Sequence, residues 1–292
     1  MAALTYPAID PVAFALGPLE VRWYGLAYVA GFIIAALVFR SLNRRWGVGL
    51  TDEDLLDTVL AGVVGLMVGA RVGYVLFYGA GAYWSDPISA LAFWDGGMSF
   101  HGGLVGILLA GLVVARLKAV PALRLFDLGA VGAPVGLLLG RLANFINGEL
   151  WGRETNVPWG MVFPSAPGSQ PRHPSQLYEA GLEGLVLFAV LMVLSRRKRG
   201  DGFMIGVLFA LYGIFRIFVE FFREPDVQLG FVAGGFTMGQ LLSIPMVAIG
   251  VWLIVRAARA ERAEGTGTGV DTGGATGSAA QGAAGPGPEE DG

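Results

Sequence analysis

Seven apolar runs constrain the fold of this chain more than any other feature. They cover roughly residues 23–40, 56–78, 98–116, 125–146, 177–195, 203–222 and 237–256. Each is near the ~20 residues that a helix needs to cross a bilayer. In hydrocarbon every backbone polar group must be satisfied within the segment, which selects helices. The expected class is an all-α integral membrane protein with seven transmembrane helices. Composition agrees: 54% of residues are hydrophobic and 15% are charged, against about 25% charged in soluble domains.

Basic residues set the orientation. Thirteen of the twenty lie in "RSLNRR", "RLKAVPALR", "SRRKRG" and "RAARAER", all at one set of span ends. The opposite ends carry only Arg22, Arg153, Arg172 and Arg223, while Arg71, Arg141 and Arg216 fall inside spans. The positive-inside rule then places the N-terminus outside and the C-terminus in the cytoplasm. Residues 1–22 form an extracytoplasmic segment. It has no basic n-region and holds three prolines, so it does not read as a cleavable signal peptide. Residues 23–262 form the transmembrane domain, with extracytoplasmic loops near 79–97 and 147–176. Residues 263–292, rich in Gly, Ala and Thr, read as a disordered cytoplasmic tail.

Composition also narrows the chemistry. The chain has no cysteine, which excludes disulfides, thiolate metal sites and a cysteine nucleophile of its own. The two histidines, His101 and His173, form no HExxH pattern, and no metal site is expected. Nothing points to a nucleic-acid partner.

The polar residues inside the spans are the informative ones. An arginine near the middle of a bilayer helix costs roughly 2.5–3.5 kcal/mol on insertion scales, yet the fourth span ends in "GRLANFINGELWG", delivering Arg141 and Asn144 with Glu149 just beyond. The sixth places Tyr212, Arg216 and Glu220 at i, i+4 and i+8, on one helix face. Arg71 comes late in the second span, His101 opens the third and Tyr24 opens the first. On this topology all of them reach one outer-leaflet zone. Three arginines facing few intramembrane acids imply a net positive cavity. Arginine suits bidentate phosphate binding, so a phospholipid headgroup is the expected ligand. His101, with an ordinary pKa of about 6.5, is the obvious proton acceptor. His173, in "RHPSQLYE", reads as a loop anchor.

These residues lie in blocks that resemble a known family. "RWYGLAYVAGF", "GARVGYVLFY", "GGMSFHGGLVG", "GRLANFINGELWGR", "RHPSQLYEAGLEG" and "LYGIFRIFVEFFREPD" resemble, in order, the signature of the bacterial prolipoprotein diacylglyceryl transferases over residues 22–226. The resemblance implies a multi-pass enzyme of the bacterial cytoplasmic membrane. It would move a diacylglyceryl group from phosphatidylglycerol to the lipobox cysteine thiol of a prolipoprotein signal peptide. Glycerol-1-phosphate would leave, and no metal or nucleotide cofactor is implied. By resemblance His101, Arg141 and Arg216 are catalytic, the two arginines holding phosphate and His101 taking the thiol proton. Alternatively, the field of the arginines lowers the thiol pKa by itself. Tyr24, Arg71, Asn144, Glu149, Gly152, Tyr212 and Glu220 are expected to bind or shape the substrate site. Of these, Asn144 should donate to the headgroup, and Glu149 and Glu220 should position arginines. A lipid or anion transporter would share the positive cavity. It needs a second polar gate, however, and the cytoplasmic halves hold almost no polar residues.

Overall fold

The structure is a computed structural model that describes residues 4–78, 83, 87–92, 96–225 and 235–267. The helices are α1 (Trp23–Trp46), α2 (Asp52–Tyr78), α3 (Phe100–Leu117), α4 (Ala122–Asn147), α5 (Ser175–Leu194), α6 (Phe203–Val219) and α7 (Met238–Gly267). All but α6 are long and apolar enough to cross a membrane, whereas α6 is an apolar helix of 17 residues. Among the described residues four short strands, β1 (Leu4–Thr5), β2 (Val12–Leu16), β3 (Leu19–Arg22) and β4 (Met161–Val162), lie outside the helices.

Several helix ends lie beyond the apolar runs. α1 continues through its basic end to Gly47, whose φ of 62° closes the helix by returning its N–H to Arg44 and Asn43. α2 begins earlier, at a reciprocal box. Asp54 N–H donates to Thr51 Oγ1 at 3.1 Å, and Thr51 N–H donates to Asp54 Oδ2 at 2.9 Å. α7 runs to Gly267, so helix enters the segment expected as tail from residue 263. The rest of that segment lies outside the described residues.

Small residues decide which helices pair. Gly65, Gly69 and Gly73 of α2 face Gly102, Gly106 and Ala110 of α3. A Cβ on Gly69 would sit 2.7 Å from Gly106 Cα, and one on Gly73 would sit 2.7 Å from Gly102 Cα. Such small-xxx-small faces bring backbones close where the surrounding lipid provides no hydrophobic drive. α1 and α4 meet at Gly31–Gly136 and Ala35–Gly132, and α6 and α7 at Gly206–Gly250 and Gly213–Val247. All three pairs are antiparallel. α4 is the central helix, and its Leu128 and Val131 are fully enclosed with Leu187 and Leu191 of α5 and Met204 of α6.

This topology puts the starts of α1, α3 and α5 and the ends of α2, α4 and α6 at one end of the bundle. The N-terminal segment is tied to that end. β1 pairs in parallel with β4, and β2 with β3 forms an antiparallel hairpin leading into α1. The Tyr6 hydroxyl is shared between the carbonyls of Phe145 (2.6 Å) and Ile146 (2.9 Å), closing the last turn of α4.

Candidate active site

Arg141 on α4 and Arg216 on α6 converge on Glu179 of α5. Glu179 Oε2 lies 2.5 Å from Arg141 Nε and 3.3 Å from Arg216 Nη1. Its Oε1 is 3.9 Å from Arg223 Nη1. Glu220 holds the other arm of Arg216, with Oε1 2.5 Å from Nη2. Glu183 Oε1 stands 3.8 Å from Arg216 Nη1. Glu179 and Glu183 are both fully buried. Residues Ala180–Val186 wind as a π-helix, a feature that concentrates at functional sites. The Tyr212 hydroxyl lies in the electrostatic field of Arg141, Arg216, Glu179 and Glu183.

This arrangement corrects the expected net positive cavity. Three arginines face three carboxylates, two of them from the fifth span, which the sequence reading had passed over. Glu179 and Glu183 are four residues apart within the quoted "RHPSQLYEAGLEG" block. Two acids one turn apart inside a span were the signal that could have found them. Arg223, read as a loop residue, also belongs to the cluster. Glu220 pairs with an arginine as expected.

The end of α4 shapes a second group. Gly148, at φ 67°, reverses the chain, with Glu149 N–H donating to Asn144 O at 3.1 Å. Glu149 then folds back, and its Oε1 accepts from Asn144 Nδ2 at 2.9 Å and Asn147 Nδ2 at 3.1 Å. Glu149 was expected to position an arginine, but it is held by two asparagines instead. The reason is local, since the tight turn places its carboxylate over its own helix end. The Asn144 amide, expected to face a headgroup, donates to Glu149.

Gly152 lies where three strands of chain cross. Its N–H donates to His173 O at 2.9 Å, Arg153 N–H donates to Phe222 O at 2.9 Å, and His173 N–H donates to Arg153 O at 3.0 Å. A Cβ at Gly152 would stand 2.7 Å from His173 O and 2.8 Å from His173 Cβ. The absence of a side chain is therefore a packing requirement. Arg172, buried beside it, bonds Gly152 O at 3.2 Å and pairs with Glu224 at 3.1 Å. His173 anchors the loop through these backbone bonds and a 3.0 Å contact from Nδ1 to the Tyr178 hydroxyl. Burial holds its imidazole below the ordinary range.

Tyr24 lies beside Tyr28, with hydroxyls 3.5 Å apart and rings stacked edge-on at 5.2 Å. Tyr28, which sequence reasoning did not single out, lies in the field of Arg141. Arg71 does not join the arginine cluster. Its guanidinium is buried against backbone carbonyls, with Nε donating to Ala90 at 2.8 Å and Nη2 to Ser89 at 2.7 Å. Nη1 donates to Gly96 at 2.5 Å and Gly97 at 3.2 Å. Through these bonds it organises the loop after α2. His101 is exposed in the first turn of α3, its ring edge-on to Phe100 at 5.7 Å. Among the described residues no hydrogen bond or ion pair joins it to the arginines.

One buried acid lies at the opposite end. Asp127 of α4 accepts Gly202 N–H at 2.7 Å and Ile205 N–H at 2.9 Å, capping the start of α6. Sequence reasoning missed it, and both of its oxygens serve that cap.

The cluster pairs several guanidinium groups with carboxylates at one end of a helical bundle, a setting suited to an anionic ester. Comparison with known proteins agrees. The family model for prolipoprotein diacylglyceryl transferase matches residues 11–256. The phosphatidylglycerol–prolipoprotein diacylglyceryl transferase of Geobacter sulfurreducens is 54% identical over 256 residues, covering 88% of this chain and 98% of that relative. The protein of the same name from Azospirillum brasilense is 52% identical over 263 residues, covering 89% and 98%. The chain belongs to the prolipoprotein diacylglyceryl transferase family.

Proposed function

We propose that this protein transfers the diacylglyceryl group of phosphatidylglycerol to the lipobox cysteine thiol of prolipoprotein signal peptides, the first step of lipoprotein maturation. The observation that carries the reading is the convergence of Arg141 and Arg216, from two helices, on one buried anionic group. Family membership supplies the chemistry those arginines serve.

The site end faces outward in the bacterial cytoplasmic membrane, and α6 is the seventh crossing. The basic residues at the other end favour this orientation. At 17 residues, α6 spans about 25 Å, and its glycine-lined contact with α7 favours its crossing alongside that helix.

The reaction exchanges one bond for another. The substrate sulfur attacks the glycerol carbon that bears the phosphoester, forming the C–S thioether and breaking the C–O bond. The electron pair leaves on the phosphate oxygen as glycerol-1-phosphate. Arg141 and Arg216 stabilise the charge that builds there, an effect strongest in a site shielded from water. His101 takes the thiol proton, since a thiol with a pKa near 8.5 is mostly protonated at neutral pH. Its exposed ring favours access by a substrate thiol. Tyr24, Tyr28 and Tyr212 line the approach, and Asn144, Glu149 and Gly152 keep the end of α4 in shape. Lateral entry serves both substrates, because both reside in the membrane.

The test is direct. Purified protein, incubated with phosphatidylglycerol and a lipobox peptide, should convert the peptide to its diacylglyceryl thioether and release glycerol-1-phosphate in equal amount. A cysteine-to-serine peptide should give neither. Release of neither product from the native peptide would refute the proposal.

A further inference from the structure

Glu179 lies among the arginines to which the proposed reading assigns the lipid phosphate. It touches Arg141 and Arg216 through one oxygen and approaches Arg223 through the other. A carboxylate and a phosphate offer guanidinium groups the same kind of acceptor. The contacts are close but poorly aligned. Among the described residues, neither Glu179 oxygen nor Arg216 Nη1 has a well-directed hydrogen bond, and all are buried. Buried polar atoms are normally satisfied, and a phosphate oxygen would give Arg216 Nη1 the acceptor it lacks, while the two Glu179 oxygens, being acceptors themselves, gain nothing from a second anion. Glu220 already holds Nη2 of Arg216, so Nη1 is the edge that Glu179 shares with an incoming anion. Glu179 is also the last residue before the π-helical segment Ala180–Val186, where the register of the helix is wider and side chains are re-aimed.

We propose that Glu179 is a built-in counter-anion, a positioning residue that holds Arg141 and Arg216 in register, yields them to the lipid phosphate and reclaims them as the phosphate product leaves. The proposal rests on the transferase reading above. It makes a prediction of opposite sign to that of a simple structural brace. Removing a brace loosens the arginines and weakens anion binding. Removing a competing anion leaves the arginines more positive and tightens it.

The experiment uses the full chain in lipid nanodiscs. Transfer is followed at varied phosphatidylglycerol, with glycerol-1-phosphate as inhibitor, for the wild type, Glu179→Gln and Glu179→Asp. In Glu179→Gln glycerol-1-phosphate should inhibit at about tenfold lower concentration, and kcat should fall while KM for phosphatidylglycerol does not rise. Glu179→Asp keeps the charge but retreats from Arg141, so its inhibition should tighten by about threefold. If Glu179→Gln does not fold, the aspartate variant decides alone. Unchanged or weakened inhibition in the folded variant overturns the proposal. A wild type that neither transfers nor responds to glycerol-1-phosphate overturns the transferase reading itself.

Discussion

Arg71 Nη1 donates to the Gly96 carbonyl at 2.5 Å. The same guanidinium takes the carbonyls of Ser89, Ala90 and Gly97, so one buried side chain from α2 gathers both sides of the following loop. Hydrogen bonds from a charged donor contribute about 1.5–3 kcal/mol each in favourable settings. Arg71→Ala should therefore cost several kcal/mol locally and expose the loop to protease. The measurement is proteolysis rate and thermal stability beside activity per folded molecule. Unchanged protease resistance with a raised KM for lipid would place Arg71 at the substrate rather than in the loop.

Arg141 and Arg216 should not tolerate loss of the planar fork. Arg141→Lys keeps a charge but cannot maintain both its Glu179 contact and a bidentate grip on phosphate. Its activity should fall sharply. Arg141→Ala and Arg216→Ala should lose about 10²-fold or more in kcat while still inserting and folding, as removal of transition-state charge donors does elsewhere. Rates within a few-fold of wild type in either alanine variant would remove these arginines from the chemistry.

The legible part of this protein is the part written in long-range patterns. Spans of apolar residues and the glycine-bearing α4 mark the helical bundle, and Arg141, Arg216 and Glu220 stand out because charge inside a span is costly. Caps were less visible. The Thr51–Asp54 box follows from local hydrogen bonding, not from hydropathy, and α7 continues to Gly267 beyond its apolar run. Partner choice was least visible. Nothing in a single sequence says that Glu149 turns back onto Asn144, because that depends on the positive φ of Gly148. Nor does it say that Arg71 meets carbonyls, or that Glu179 meets three arginines from two other parts of the chain.

The topology has a simple check, because the chain is free of cysteine. Ser169→Cys lies in an exposed stretch of the 147–176 loop, and Ser278→Cys lies in the C-terminal segment. In intact spheroplasts a membrane-impermeant maleimide should label the first and spare the second, as the basic residues require. The reverse pattern would invert the assignment and place the site end in the cytoplasm.

His173 should make the protein less stable in mild acid. Its imidazole is kept below its ordinary pKa of 6.5 by burial, packed on Tyr178 and Phe222 with ring centroids at 5.8 and 5.2 Å. The folded form then binds fewer protons than the unfolded one. Stability is retained above pH 6.5 and lost as pH falls from there through the lower folded value. The melting temperature between pH 7.5 and 5 should drop more steeply for wild type than for His173→Gln, which cannot titrate. Parallel curves would show that His173 stays as basic in the fold as out of it.

His101 separates two accounts of how the substrate thiol is activated. If its imidazole takes the proton, His101→Asn keeps hydrogen-bonding capacity but loses basicity. Transfer at neutral pH should then fall by about 10²–10⁴-fold, the usual range for a lost general base. Part of that rate should return as pH rises toward the thiol pKa of about 8.5, where solvent can do the deprotonation. Phosphatidylglycerol binding should hardly change, because His101 makes no contact with the Arg141–Glu179–Arg216 cluster among the described residues. The decisive data are pH–rate profiles of the variant and wild type, with lipid binding measured on the same samples. A variant whose rate stays low at every pH and whose lipid binding is lost would make His101 a part of the pocket wall. Thiol activation would then fall to the arginines, whose field could act on the thiol only while the phosphate leaves part of their charge uncompensated.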